Sequence, residues 1–317
     1  LDDTKKVWKS SPTKIHGDIA RVRVSAGGLQ QLIKRVFVPE KKGQETALKK
    51  FRYLPGGVET LIKGMQKHCE SKGTEIKCCE TVEDVFHQNG LWNIVSKDQS
   101  GKRKTRQTSQ LFSTMPVTEL CGHLLKRKPD PEVQKAIDES RFIANFLVVL
   151  QVNKDRVSKN QWLYFPGKET IFNRGYEPKN FSKSMGGKGS SLLILEITCY
   201  QGDKIWKASD TKLIKKCIRE LDNIKFLTPD QIKDSTVVRI PHTYPLYDLE
   251  YKERTQVIWD YLKIFPGLIS VGRQGLFLHN NMDHSIYMGF QAADEMKRIS
   301  ADQTARNWYE QVEEFQA

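Results

Sequence analysis

Several features that would settle the class of this chain at once are missing from it. It has no apolar run of about eighteen residues, the length that spans a bilayer. Its longest apolar stretches, 142–150 and 192–197, are far shorter. It opens on Leu1-Asp2-Asp3, without an initiator Met, a basic n-region or an apolar h-region, and so reads as a processed or truncated start with no signal peptide. The six cysteines, at 69, 78, 79, 121, 199 and 217, fit no zinc-ligand spacing. In a chain of 317 residues they are expected as buried small hydrophobes rather than bridges, which favours a reducing compartment and a cytoplasmic location. No H-E-x-x-H, Ser-His-Asp or paired-carboxylate pattern is present, so hydrolase and metal-site readings have no foothold. Repeats and low-complexity tracts are absent too.

What is present describes an ordinary globular protein of two packed domains, 38% hydrophobic and 28% charged. The net charge is +13, carried by short scattered clusters such as Lys41-Lys42, Lys102-Arg103-Lys104 and Lys126-Arg127-Lys128. These are a solvated surface, or a field that draws in a phosphorylated substrate. Nucleic-acid binding would want a continuous basic stripe with interleaved aromatics, which the sequence lacks.

Hydrophobic periodicity predicts a mixed α/β (α+β) chain. A basic helical segment covers 1–48, with Leu29, Leu32, Ile33 and Val36 on one face. Val58, Leu61, Ile62, Met65 and Cys69 form one face of a helix that Gly73 stops. Strands are expected at 74–79, 82–87 and 91–96 around a tight turn at Gln88-Asn89-Gly90, with a further strand ending at Thr114. A short helix at 129–140 precedes strands at 141–152, 161–165, 171–174 and 191–199. A helix capped by Ser209 or Asp210 carries Leu213, Ile214, Cys217 and Leu221. A strand at 237–240, a helix at 253–265, a short buried strand at 268–272 and a last helix at 283–299 follow.

The strongest chemical signal lies at the end. A buried strand finishes at Gly272, where the missing side chain lets a ligand approach the backbone. Asn281 or Asp283 then caps a helix whose expected buried face is Ile286, Phe290 and Ala293. Such a helix start presents free N–H groups and a partial positive charge, suited to a pyrophosphate or to a flavin edge that becomes anionic on reduction. It is equally the form of an ordinary capped strand–helix connection.

The stretch Gly272-Arg273, Asn281-Met282-Asp283-His284-Ser285 and Gly289 resembles the C-terminal flavin-binding segment of the protoporphyrinogen oxidase, amine oxidase and UDP-galactopyranose mutase superfamily. Three blocks agree in order: 51–61 with its Pro55-Gly56-Gly57, the strand Phe112-Ser113-Thr114-Met115-Pro116, and Arg239-Ile240-Pro241-His242-Thr243-Tyr244-Pro245-Leu246-Tyr247-Asp248. The resemblance implies a non-covalent FAD between a partial Rossmann-like domain and a mixed-sheet substrate domain. It implies cofactor contacts at Gly272, Arg273, Gly275, Asn281, Met282, Asp283, His284 and Ser285. It places substrate contacts at Tyr164, Asn173, Arg174, Arg239, Tyr244 and Tyr247, and leaves the catalytic residues unassigned. The implied division is 1–48 and 121–248 for the substrate domain, 49–120 and 249–317 for the FAD domain.

A complete member carries G-x-G-x-x-G on its first strand–helix turn, and no such fingerprint occurs here. The glycine cluster Gly186-Gly187-Lys188-Gly189 is not a phosphate loop: Ser182 stands where the first Gly is required, and Gly189 follows the Lys. The functional expectation is an FAD-dependent oxidoreductase acting on a sugar- or nucleotide-sugar-related small molecule. The alternatives are mutase chemistry without net redox change, and a non-catalytic module that lost its cofactor.

Overall fold

A computed structural model describes residues 2–19, 52–299 and 303–315. The helical expectation for Leu29, Leu32, Ile33 and Val36 lies outside them. In chain order the main elements are α1 (Asp2–Trp8), α2 (Glu59–Ser71), β1 (Glu80–Gln88), β2 (Leu91–Asp98), β3 (Arg103–Thr108), β4 (Leu111–Ser113), α3 (Pro131–Glu139) and β5 (Phe142–Val152). They continue with β6 (Trp162–Tyr164), β7 (Arg174–Tyr176), β8 (Ser191–Tyr200), α4 (Asp210–Asn223), β9 (Ile232–Pro245), α5 (Tyr251–Leu262), β10 (Leu268–Ser270), α6 (Gly272–Gly275), α7 (Met282–Arg298) and α8 (Arg306–Glu310). This is the mixed α/β class read from the sequence. The chain divides into two compact units, the first comprising 1–14, 25–76 and 143–243, the second 15–24, 77–142 and 244–317.

The first unit is built on a five-stranded sheet of order β6-β7-β8-β5-β9. β5 and β8 pair antiparallel over ten residues, from Ile143 opposite Tyr200 to Val152 opposite Ser191. Alternate residues of β5, Phe146, Val148 and Leu150, are fully buried and face α4, whose Leu213, Cys217 and Leu221 close the same core. The Ser209 hydroxyl caps α4 by accepting from the Lys212 N–H, as its position before the apolar run requires. The other side of the strands carries Asn145, Glu196, Arg174 and Tyr164 in neighbouring register, a polar row that period-two alternation brings onto one face.

Two expectations move. Residues 171–173 are not strand; the pairing begins at Arg174. Helix α2 forms as periodicity predicts, but none of its residues is buried, and Ile62 and Met65 stay exposed.

The second unit holds a three-stranded antiparallel meander, β1-β2-β3, and a parallel pair, β4 with β10. Asn89 and Gly90 both take positive φ, 53° and 76°, in the two-residue turn joining β1 to β2, the mirror-image turn that matches strand twist. The strand expected at 74–79 does not form: Cys79 sits at φ 61° and pairing starts at Glu80. The parallel pair aligns Leu268 with Leu111 and Ser270 with Ser113. All three residues of β10 are buried, as a parallel strand covered on both faces demands.

The cysteines split in a way composition does not show. Cys121, Cys199 and Cys217 are buried, whereas Cys69, Cys78 and Cys79 are exposed, and all six are free thiols. Burial pushes the Cys199 thiol up to about 11 and Cys217 up to about 12. An aromatic disulfide reagent at neutral pH should therefore modify Cys69, Cys78 and Cys79 in the native protein and reach the other three only after denaturation. Native labelling of Cys217 would contradict this packing.

Candidate functional site

In the second unit the parallel pair ends where the chain must turn sharply. Val271 donates its N–H to the Ser113 carbonyl at 2.8 Å, and Gly272 then takes φ 88°, a conformation that L side chains resist. A Cβ built on Gly272 would meet no atom of a described residue within 4 Å. Gly275 is needed for the opposite reason: a Cβ there would lie 3.1 Å from the Ser113 carbonyl oxygen and 3.0 Å from Ser270 Oγ. The end of β10 is held from below by α8, with Trp308 Nε1 donating to the Ser270 carbonyl at 2.9 Å and Ser270 N–H donating to the Tyr309 hydroxyl at 3.0 Å.

The loop after α6 leads into α7, the longest described helix, with Asn281 as its N-cap residue. No side chain caps that end. Asn281, Met282 and Asp283 are exposed, and His284 and Ser285 are half-buried. Ser285 Oγ donates to Asn280 Oδ1 at 3.3 Å, and His284 Nδ1 lies 3.2 Å from Asp283 Oδ1. The helix start is thus free of a plug, and its first-turn N–H groups form a partial positive charge. The expected buried face is corrected: Met288, Ala292, Glu295 and Met296 are buried, while Phe290 is 66% exposed. The packed stripe is set by the side of α7 that meets the rest of the unit, which apolar spacing alone does not choose.

Arg273, Tyr244 and Tyr247 come together in this unit. The Arg273 guanidinium lies over the Tyr244 ring, 5.4 Å from its centroid, and donates to the Asn280 carbonyl. Tyr244 is stacked on His279 at 5.8 Å, and His279 Nε2 contacts the Pro245 carbonyl at 2.9 Å. A carbonyl only accepts, so that nitrogen carries the ring proton. The His279 N–H donates to the Tyr247 hydroxyl at 2.9 Å, and Tyr247 itself is fully buried, stacked 3.8 Å from Tyr251. Tyr247 therefore holds the 279–280 turn in place from beneath, with no exposed surface of its own. His279, absent from the expected contacts, is the node of this cluster. Only the spacing of an aromatic–Pro block to a distant His could have suggested it, and nothing local in the sequence signals such a pairing.

In the first unit Tyr164 and Arg174 are cross-strand partners. The Arg174 guanidinium grips both oxygens of Glu196 at 2.8 and 2.7 Å and lies 4.5 Å over the Trp162 ring. Trp162 packs against Tyr176 and Phe181, and Phe181 against Tyr53. Tyr164 is 66% exposed. Asn173 is buried, and its Oδ1 has no hydrogen-bond partner among the described residues; the same is true of Asn145 Oδ1, whose amide nitrogen reaches Glu196 at 3.5 Å. One guanidinium nitrogen, Nη2, makes both contacts to Glu196, so the pair and the aromatic row form a polar, flat patch on this unit.

Arg239 stands apart from this group. It packs over Phe146, on the helix-covered side of the sheet, donates to the Ala208 carbonyl at 2.8 Å and pairs with Asp210 at the start of α4. Among the described residues no group of three or more His, Cys, Asp or Glu side chains is placed to hold a metal ion, and no helix is long and apolar enough to cross a membrane.

No family model and no curated protein matches the sequence. Solved structures do. A reduced UDP-galactopyranose mutase superposes with a TM-score of 0.75 at 18% identity, over 100% of this chain and 67% of the mutase chain. A protoporphyrinogen oxidase-like protein from Exiguobacterium sp. 255-15 superposes at 0.58 and 14% identity, over 92% of this chain and 56% of its own. The chain thus shares its fold with both, and both carry names from the superfamily that the sequence resembles.

Proposed function

From that shared fold we propose that this chain is the larger part of an FAD-dependent oxidoreductase whose substrate is a sugar or nucleotide sugar. The observation that carries the cofactor assignment is the pairing of an open, left-handed Gly272 with an unplugged α7 start. Together these offer a flat ring both a surface without side chains and a row of backbone donors. The residues fit the group. Gly272 would let the ring lie against the backbone, Gly275 would let the turn beneath it pack on the Ser113 carbonyl, Arg273 would supply a cation, and the 281–285 turn would face the ring's oxygen edge. Bound there, FAD would supply a two-electron acceptor or donor.

The chain's own residues would do the rest. His279, fixed by the Pro245 carbonyl and the Tyr247 hydroxyl, orients Tyr244, and Tyr244 in turn holds the Arg273 guanidinium. In the first unit the exposed Tyr164 and Trp162 rings would receive a flat part of the ligand, with the half-buried Arg174, held by Glu196, beside them.

Titration with FAD should restore visible flavin absorbance, and Arg273→Ala should weaken that binding about tenfold, the loss of one charge-assisted contact. Colourless protein that gains no absorbance would sink the cofactor assignment. The higher TM-score to the mutase favours a second reading, non-redox turnover of a nucleotide sugar. Turnover of UDP-galactopyranose only after chemical reduction of the flavin would select it. Substrate-driven bleaching of the oxidised flavin would select the oxidoreductase instead.

A further inference from the structure

The start of β10 borders a cavity that none of the candidate cofactor or substrate residues lines. It measures about 320 Å3 and lies within the second unit, between the end of β1, Trp92 of β2, the 125–127 segment and the 264–266 turn that leads into β10. Gly272 lies past the other end of that strand, so the cavity and the proposed flavin surface are separate places. Its volume falls within the roughly 300–1,000 Å3 of small-molecule sites.

The floor is apolar and largely aromatic. Val85, Trp92, Leu125 and Phe265 are buried. The Trp92 and Phe265 rings stand 5.9 Å apart and are inclined at 50°, and the His87 ring lies 5.1 Å from Trp92 at 58°. Rings inclined in this way present faces and edges together, and a further planar ring can pack among them edge-to-face. The walls are set before any ligand arrives. Trp92 Nε1 donates to the Pro266 carbonyl at 2.8 Å, and the Lys126 N–H donates to the Val85 carbonyl at 3.1 Å, which ties the 125–127 segment to β1.

The mouth is cationic. Lys126 and Arg127 both line it and are exposed. Lys126 Nζ sits 4.8 Å over the Phe86 ring, and the Arg127 guanidinium 5.9 Å over the Phe265 ring. Asp84 holds Lys126 at 3.3 Å and so offsets one of the two charges. The other acids nearby in the chain are committed elsewhere: Glu83 pairs with Arg103 at 2.6 Å, and Asp130 caps α3 by accepting from the Val133 N–H at 3.0 Å. No carboxylate lines the cavity, and Arg127 makes no ion pair among the described residues. A ligand that is flat and apolar at one end and anionic at the other answers both the floor and the mouth. A carboxylate matches the planar fork of donors that a guanidinium offers.

We propose that this cavity binds a small planar aromatic carboxylate, with its rings between Trp92 and Phe265 and its carboxylate at Arg127. The test titrates naphthoate into the chain by calorimetry, with naphthamide as the uncharged equivalent and decanoate as an acid without a ring. Naphthoate should occupy a single site, and naphthamide should bind about tenfold more weakly, the difference that one charge-assisted contact makes. Arg127→Gln should weaken naphthoate by about the same factor and leave naphthamide unchanged, whereas Arg127→Lys should keep part of the preference for the acid. Ile264→Trp, at a lining position that is 42% exposed, should obstruct the cavity and abolish binding without moving the thermal midpoint. Lys102→Gln, an equal loss of charge in the β2–β3 turn, should change nothing. Absence of binding at millimolar naphthoate, or binding that survives Ile264→Trp, would overturn the site. Equal affinities for the acid and the amide, or equal losses of both in Arg127→Gln, would overturn the carboxylate pairing. Tighter binding of decanoate than of naphthoate would overturn the planar ring.

Discussion

Gly272→Val is expected to abolish FAD binding and to lower stability by about 1–2 kcal/mol, the cost of forcing an L side chain into left-handed backbone. The strain and the lost binding have different origins. Gly272 has φ 88°, which any Cβ makes costly, yet a Cβ there touches nothing within 4 Å. The new methyl groups would therefore occupy the open space into which the proposal puts the flavin, rather than clash with the protein. Thermal melting without cofactor reads the first effect, and titration with FAD reads the second. Gly289→Ala is the control. It too points into open space, but without a positive φ and inside α7, so it should gain about 0.5–1 kcal/mol in helix stability and leave binding intact. A Gly272→Val protein that takes up FAD like the parent would remove this strand end from the cofactor site.

The second large effect is expected at Glu177, which no local pattern singles out. This carboxylate is fully buried. One oxygen accepts from Ser158 N–H at 2.7 Å and from Val157 N–H at 3.0 Å, and the other from Val157 N–H and the Ser191 hydroxyl at 2.9 Å each. Glu177→Ala would leave these donors without an acceptor in a site closed to water. At about 1–3 kcal/mol for each orphaned donor, a loss on the order of 3–5 kcal/mol follows. Glu177→Gln should cost less, because one carbonyl oxygen still accepts. Urea unfolding measures both. A midpoint for Glu177→Ala equal to the parent's would mean that water replaces the carboxylate and that the site is not closed. The consequence reaches the proposed ligand surface, since the same residue precedes the segment that carries Phe181, whose ring abuts Trp162 beneath the Arg174 guanidinium.

The two replacements show how differently the candidate residues of the two units could be read in advance. Gly272 was legible because an isolated glycine at the end of an apolar strand has few structural reasons to be there, and it takes a positive φ. Gly275 makes a backbone contact too close for a side chain, which only the fold reveals. Arg174 was legible as a candidate but not as half of a buried pair, because Glu196 lies on another strand and only the sheet register makes them neighbours. Arg239, of the same residue type in an equally suggestive block, is placed by strand alternation on the helix-covered side, where it ties down α4.

Periodicity, turn chemistry and capping are local properties, and they were sufficient for most of the longer elements of the described residues: the Asn89-Gly90 hairpin, the Ser209 cap and the long strands β5 and β8 all lie where the residues call for them. Which side of an element is covered is not local. Helix α7 buries Met288, Ala292 and Met296 instead of Ile286, Phe290 and Ala293, and α2 buries nothing, because burial depends on what another part of the chain brings against a surface. The same reason kept the partners of His279 out of view. The acceptor for its ring N–H, its stacking partner and the acceptor for its backbone N–H are all supplied by residues 244–247, more than thirty positions earlier in the chain, and that proximity exists only once the chain has folded.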